Sequence, residues 1–211
     1  MASLVHAMAQ QARRPSGFFG RLFGFSMSRI NREANKWTIS QLDIAPSDDV
    51  LEIGYGPGQA IQLLSSAVKS GKIHGIDFSD TMLQQATARN KYAIEHGLVE
   101  LKVGDATTLP YDENSFDKVF CVNVIYFWKN PEQQLREIFR VLRQGGTLAI
   151  YMGDSTEMAG VRITQTGVFN LYPAKDVMRI LKEVGFSSQE YATSAISQGP
   201  LSQGVCVLAE K

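Results

Sequence analysis

Residues 50–60 read Val50-Leu51-Glu52-Ile53-Gly54-Tyr55-Gly56-Pro57-Gly58-Gln59-Ala60. The apolar run from Val50 to Ile53 is short enough for a buried strand. Three glycines follow at alternate positions, and then a segment of helical character, Ala60-Ile61-Gln62-Leu63-Leu64. Strand, glycine turn and helix make the ligand-binding corner of an open α/β sheet. Glycine lets the backbone turn sharply and lets a ligand approach without meeting a Cβ. Glu52 is an acid inside an otherwise apolar strand. A buried, unpaired carboxylate is costly, so Glu52 is expected to face a polar or cationic partner at the strand end.

The glycine spacing separates two ligand classes. A dinucleotide site spaces its glycines G-x-G-x-x-G and seats a pyrophosphate on the helix N-terminus. Here the spacing is G-x-G-x-G behind an acid. That carboxylate would repel a pyrophosphate and attract an ammonium group. Residues 52–58 closely resemble the first motif of the class I S-adenosylmethionine (SAM)-dependent methyltransferases, with the small-molecule group among them.

The resemblance continues along the chain. A second strand, residues 72–76, ends at Asp77, which follows Gly58 by 19 residues. A Rossmann-like fold places its ribose-binding carboxylate at about this distance. The segment Asp77-Phe78-Ser79-Asp80-Thr81-Met82 resembles the family's adenosine corner, with Phe78 placed to cover the adenine. Ser79 or Asp80 caps a helix reaching to about residue 96. A third strand, 99–103, ends at Gly104-Asp105-Ala106. The resemblance implies that the acid there accepts from the adenine amino group, a sound pairing for a carboxylate. A fourth strand, 116–122, leads into Asn123-Val124-Ile125-Tyr126-Phe127-Trp128. Asn123 is suited to the methionine part of SAM, and the three aromatics to a pocket wall. Carried over residue by residue, the cofactor set is Glu52, Gly54, Tyr55, Gly56, Gly58, Asp77, Phe78, Ser79, Met82, Gly104, Asp105, Ala106, Asn123 and Val124, with the N–H groups around Gly54 to Gly58 on the SAM carboxylate.

The remaining elements complete a doubly wound architecture. Asn130-Pro131 opens a helix that Gly145-Gly146 ends, and a fifth strand spans 147–152. Leu142-Arg143-Gln144-Gly145-Gly146 is a structural signature of the resembled family. Residues 153–172 resemble a variable insert over the acceptor; a helix from Pro173 to Val184 and two strands, about 187–191 and 205–210, close the chain around a loop at 197–200. Alternating strands and helices imply a parallel sheet covered on both faces. The expected fold is a seven-stranded, mostly parallel sheet with an antiparallel last strand.

Composition bounds the function. The 211 residues are 44% hydrophobic and 20% charged, with net charge zero, so nothing general favours nucleic acid. Nucleic-acid amino methyltransferases carry Asn/Asp-Pro-Pro-aromatic after the fourth strand, where this chain has Asn123-Val124-Ile125-Tyr126. Cys121 and Cys206 sit in strand-like runs and read as buried thiols of a reducing, cytoplasmic compartment. No apolar stretch reaches the length of a membrane span, and no metal spacing occurs.

The first 32 residues contain five arginines and no acid, together with Phe18, Phe19, Leu22, Phe23 and Phe25. Such a composition suits a transit peptide, a membrane-surface segment or a helical arm. We read an arm or lid at 1–40, disordered or loosely helical up to about residue 15, broken at Pro15-Ser16-Gly17 and helical over 28–42, ahead of a SAM-binding domain at 41–211. Methyl transfer can proceed largely by positioning. If a base is used, Tyr126, Tyr172 and Asp154 are the candidates; His6, His74 and His96 read as structural or solvated. An NAD(P)-dependent oxidoreductase and a non-catalytic SAM-binding protein are the competing readings.

Overall fold

Why the chain winds as it does follows from its apolar stripes. The computed structural model describes residues 2–196 and 202–211, without the side chains of Ala2, Ser3, Phe18, Phe23 and Ser188. The loop read at residues 197–200 lies outside these. Three helices come first: α1 (Ala2–Arg13), α2 (Gly17–Ile30) and α3 (Arg32–Gln41). Then β1 (Val50–Ile53), α4 (Gln59–Leu64), β2 (Ile73–Asp77), α5 (Asp80–Arg89), α6 (Lys91–Glu95) and β3 (Val99–Val103) alternate. The second half holds β4 (Phe116–Val122), α7 (Pro131–Val141), β5 (Leu142–Gly153), α8 (Ser155–Ala159), α9 (Ala174–Val184), β6 (Ser188–Ser194) and β7 (Gly204–Glu210).

The seven strands form one sheet in the order β3-β2-β1-β4-β5-β7-β6. All neighbours pair in parallel except β7, which runs antiparallel to β5 and to β6. The expected seven-stranded sheet with its antiparallel last strand is therefore present. On one face, Leu135 and Ile138 of α7 pack with Val177 and Leu181 of α9. On the other, Ala34 of α3 packs with Ile61 and Leu64 of α4 and with Met82 and Ala86 of α5. The order reverses at β1, between β2 and β4, so the carboxyl ends of these strands open the crevice where α/β sheets take ligands.

Three local expectations are corrected, and a fourth is narrowed. Of the two readings of the lead, disordered or loosely helical, residues 2–13 take the helical one. The helix read over 28–42 is two helices that meet at Asn31, whose backbone (φ −85°, ψ −2°) departs from ideal helical values while staying in the right-handed region. Likewise the helix from Asp80 is interrupted at Asn90, whose side chain donates to Gly58 O at 3.0 Å. The fifth strand begins five residues early, at Leu142, because a bulge near Gly145 (φ +74°) lets Leu142 pair with Phe116 before Thr147 pairs with Lys118.

The arm itself divides. Its third helix belongs to the core: Ala34 is fully buried, and Trp37 meets Tyr151 edge-on at 5.9 Å between centroids. The first two helices lie outside that core. Ser79 Oγ donates to Pro15 O at 2.5 Å, and Gln85 Nε2 donates to Arg21 O at 2.9 Å, fixing α2 along α5.

Candidate active site

Elementary electrostatics marks the strand ends. Glu52 on β1 is 3% exposed and Asp77 on β2 is 7% exposed. Neither forms an ion pair among the described residues. Burial, reinforced by the Asp77 charge, pushes the Glu52 carboxyl up to about 8. Burial alone pushes Asp77 up to about 6, against hydrogen bonds from backbone N–H groups that pull it down. Glu52 Oε2 is buried without a hydrogen-bond partner among the described residues. Two adjacent acids without a cation make a site that gains free energy by taking up positive charge.

The glycine turn holds this arrangement. Gly54 has φ +73°, and a Cβ there would lie 2.4 Å from Val124 Cγ2, so no larger residue fits. Gly56 has φ +51° and would meet nothing within 4 Å; it faces open space. Its N–H donates to Asp77 Oδ2 at 2.9 Å, and Ser79 N–H donates to Asp77 Oδ1 at 2.9 Å. Asp77 thus ties the turn after β1 to the turn after β2, with the Phe78 N–H as a further donor, and its remaining acceptor capacity faces the cavity. The three glycine N–H groups of this turn also have partners within the protein. Gly54 N–H donates to Ile76 O and Gly58 N–H to Tyr55 O, so all three are already engaged.

A cavity of about 720 Å³ opens over these residues. Glu52, Gly54, Tyr55, Gly56, Asp77, Phe78, Met82, Gly104, Asp105, Ala106, Asn123 and Val124 line it. Of the cofactor set read from sequence, Gly58 and Ser79 do not. Gly58 packs within 2.9 Å of Ala86 Cα, counted from a Cβ placed on it, and Ser79 caps α5 and holds the arm. Asp105 is exposed, and its Oδ1 accepts from Thr107 N–H at 2.8 Å. Asn123 lies at φ +59°; its amide nitrogen donates to Asn31 Oδ1 at 3.1 Å and its oxygen accepts from Tyr126 Oη at 3.1 Å. The amide is therefore engaged within the protein.

None of the three candidate bases lines the cavity. Tyr126 is buried, which pushes its phenol above the usual range, and its Oη accepts from Gly153 N–H. Tyr172 Oη donates to Trp128 O at 2.7 Å. Asp154 caps α8, accepting from Thr156 and Glu157 N–H. Each side chain is spent on local structure. The histidines are also elsewhere: none of the three lines the cavity.

Sequence reading named the opposite wall in outline, as an aromatic run and an arm or lid, but not its individual polar residues. Gln10, Arg13, Arg14 and Pro15 close it from the end of α1, and Met27, Ser28, Asn31 and Asn35 from α2 and α3. Arg14 sits over the Phe78 ring at 5.6 Å. From the other side come Phe127, Trp128, Lys129, Asn130, Gln133 and Gln134. Gln134 is 8% exposed, and its Oε1 is buried without a partner. An amide on the buried stripe of α7 was the one signal available for it, while the composition of the arm signalled a lid without singling out the residues that line the cavity.

Comparison with known proteins agrees with this geometry. The family described as Methyltransferase domain matches residues 51–150. An uncharacterized methyltransferase of Bacillus subtilis, YdaC, is 36% identical over 129 residues, 61% of this chain and 69% of that protein. A demethylmenaquinone methyltransferase of Bacillus mycoides is 33% identical over 129 residues, 60% of this chain and 54% of its own length. Among solved structures, a Haemonchus contortus phosphoethanolamine N-methyltransferase, in complex with phosphomonomethylethanolamine and S-adenosylhomocysteine, superposes with a TM-score of 0.76. It covers 90% of this chain and 58% of that one, at 20% identity, which is a likeness of fold.

Proposed function

This chain belongs to the class I SAM-dependent methyltransferases, and from that premise we propose that its acceptor is a small molecule held beneath α1 and α2. SAM is the methyl donor of the family, and when bound it supplies an electrophilic methyl group on a sulfonium. The residues present fit it. Glu52, with an unpaired buried oxygen, suits the α-ammonium, and binding a cation there relieves the cost of its burial. The acceptor capacity that Asp77 retains beside its backbone donors suits the ribose hydroxyls, and Asp105 suits an exocyclic amine. Phe78 offers an apolar plane beside them.

The cavity carries the acceptor reading. Its volume lies within the range of small-molecule sites, and the arm roofs it. The wall away from Asp77 combines the Phe127 and Trp128 rings with the Gln133 and Gln134 amides. Aromatic rings give an acceptor shape, and the lone Oε1 of Gln134 accepts from one N–H or O–H, which fixes orientation. With no histidine on the wall, this chain's contribution is holding and desolvating the acceptor rather than strong base chemistry. A relative named for demethylmenaquinone, itself a small molecule, supports the reading.

Incubation with methyl-labelled SAM and a fractionated cell extract tests it. Label should pass into the solvent-extractable, low-mass fraction. Label carried mainly by protein or nucleic acid would replace the small-molecule acceptor with a macromolecular one.

A further inference from the structure

We propose that α1 and α2 dock the protein on the surface of a bilayer rich in anionic lipid. The inference does not depend on the identity of the methyl acceptor.

The observation behind it is an inverted helix. A surface helix of a folded domain turns its apolar stripe to the core and its polar face to water. Among its described side chains, α2 does the reverse. Gly20, Gly24 and Ser28 face inward, Gly24 so close that a Cβ would fall 2.9 Å from Met82 Cε. Beside the Gly24–Met82 approach, the described contacts with α5 are hydrogen bonds: Arg21 Nη2 donates to Gln84 Oε1 at 3.1 Å, and Arg89 Nη1 donates to Ser28 Oγ at 2.9 Å. Outward, Phe19 is 74% exposed, Leu22 60%, Phe25 56% and Ile30 48%. At 100° per residue these four fall on one side of the helix, with Arg29 among them. Leu4 and Met8, one turn apart on α1, are also exposed. Six of the nine exposed large hydrophobic residues described in the protein therefore sit on these two helices. Polar helix packing inward and bulky apolar groups outward leave a patch that solvent disfavours.

Charge selects the occupant. Five arginines and no acid fall within the first 32 residues, while the whole chain is neutral. The rest of the molecule is therefore acidic by the same five charges. This asymmetry turns the arm toward a negative surface and the remainder away from it. Arg29 lies 5.4 Å from the Phe25 ring, so one cation already rests within the apolar stripe. Basic groups interleaved with Phe, Leu and Ile on a helix are the pattern of an interfacial helix. A second copy would bring two basic arms together, which like charges oppose. Nucleic acid would use rings for stacking but has no use for Leu4, Met8, Leu22 and Ile30. At 12 and 14 residues, α1 and α2 lie on a bilayer rather than cross it.

The test pellets the full-length protein with vesicles of phosphatidylcholine alone and with vesicles rich in phosphatidylglycerol. Retention should be about ten-fold greater on the anionic vesicles at low salt, and should fall as salt screens the arginines. Leu22→Glu/Phe25→Glu should lose it, and so should Arg29→Glu. None of these side chains lines the cavity, so each variant should keep the thermal shift given by SAM, which also shows that it folds. Equal retention of wild type and variants, or wild type on neither vesicle, would overturn the proposal. So would a concentration-dependent dimer in sedimentation that Leu22→Glu/Phe25→Glu abolishes, since a second copy would then cover the face.

Discussion

Glu52 governs the protein's response to pH. An ordinary glutamate titrates near 4.5, and the folded protein holds this one at about 8. Between those values the folded state binds a proton that the unfolded state has lost. Stability of the ligand-free protein therefore falls as pH rises from about 4.5 to 8, by an amount of order a few kcal/mol once the group ionises. Asp77, raised to about 6, adds to the same trend over a narrower range. Glu52→Gln keeps the shape and abolishes most of the slope, so the variant should melt higher than wild type at pH 8 without ligand. The same change removes the negative partner of the donor's ammonium, and SAM affinity should fall ten-fold or more, a charged hydrogen bond being worth about 1.5–3 kcal/mol. Melting curves at several pH values and calorimetric titration check both arms. A wild-type melting temperature flat across this range would show that Glu52 is not buried alone.

At the scale of elements, α2 carries two surfaces. One closes the cavity through Met27, Ser28 and, just beyond its end, Asn31. The other carries the exposed stripe. Among the described side chains, the hydrogen bonds that fasten α2 and the turn before it to α5 are polar contacts such as Ser79 to Pro15 and Gln85 to Arg21. Elements so held open at modest free-energy cost. A ligand that fills the space beneath should hold them shut by its own binding energy. Trypsin should thus cut at Arg21, Arg29 or Arg32 in the free protein, and several-fold more slowly with saturating SAM. Equal rates would mean that α1 and α2 sit still or move independently of the site. Arg32 opens α3, whose Ala34 and Trp37 are built into the core, so cuts there should be the slowest.

The whole molecule responds to its donor through mass action. With SAM at about a hundred times its dissociation constant, stability should rise by about 2.7 kcal/mol. For a chain of this size the melting temperature should increase by roughly 5–10 °C. NAD should produce no shift, because Glu52 stands where a pyrophosphate would have to approach. A shift with NAD as large as that with SAM would overturn the assignment of this corner.

Much of this architecture was legible because it is written in local chemistry. Val50 to Gly58 gives strand, turn and acid in nine residues, and alternating apolar periods give the doubly wound sheet. Backbone periodicity and glycine freedom act over a few residues, so sequence alone carries them. What the sequence left open depends on contacts between distant residues. Asn31 breaks a helical pattern at the position that meets Asn123, ninety-two residues away. Gly54, Gly56 and Gly58 have N–H groups that look free along the chain, yet Ile76, Asp77 and Tyr55 take them. Tyr126, Tyr172 and Asp154 carry suitable chemistry, but only packing shows their polar atoms spent on neighbouring backbone. The sequence determined the sheet and the acids at its strand ends. The tertiary structure decided which of those groups face open space, because burial and hydrogen-bond saturation are properties of the folded surroundings and not of any residue by itself.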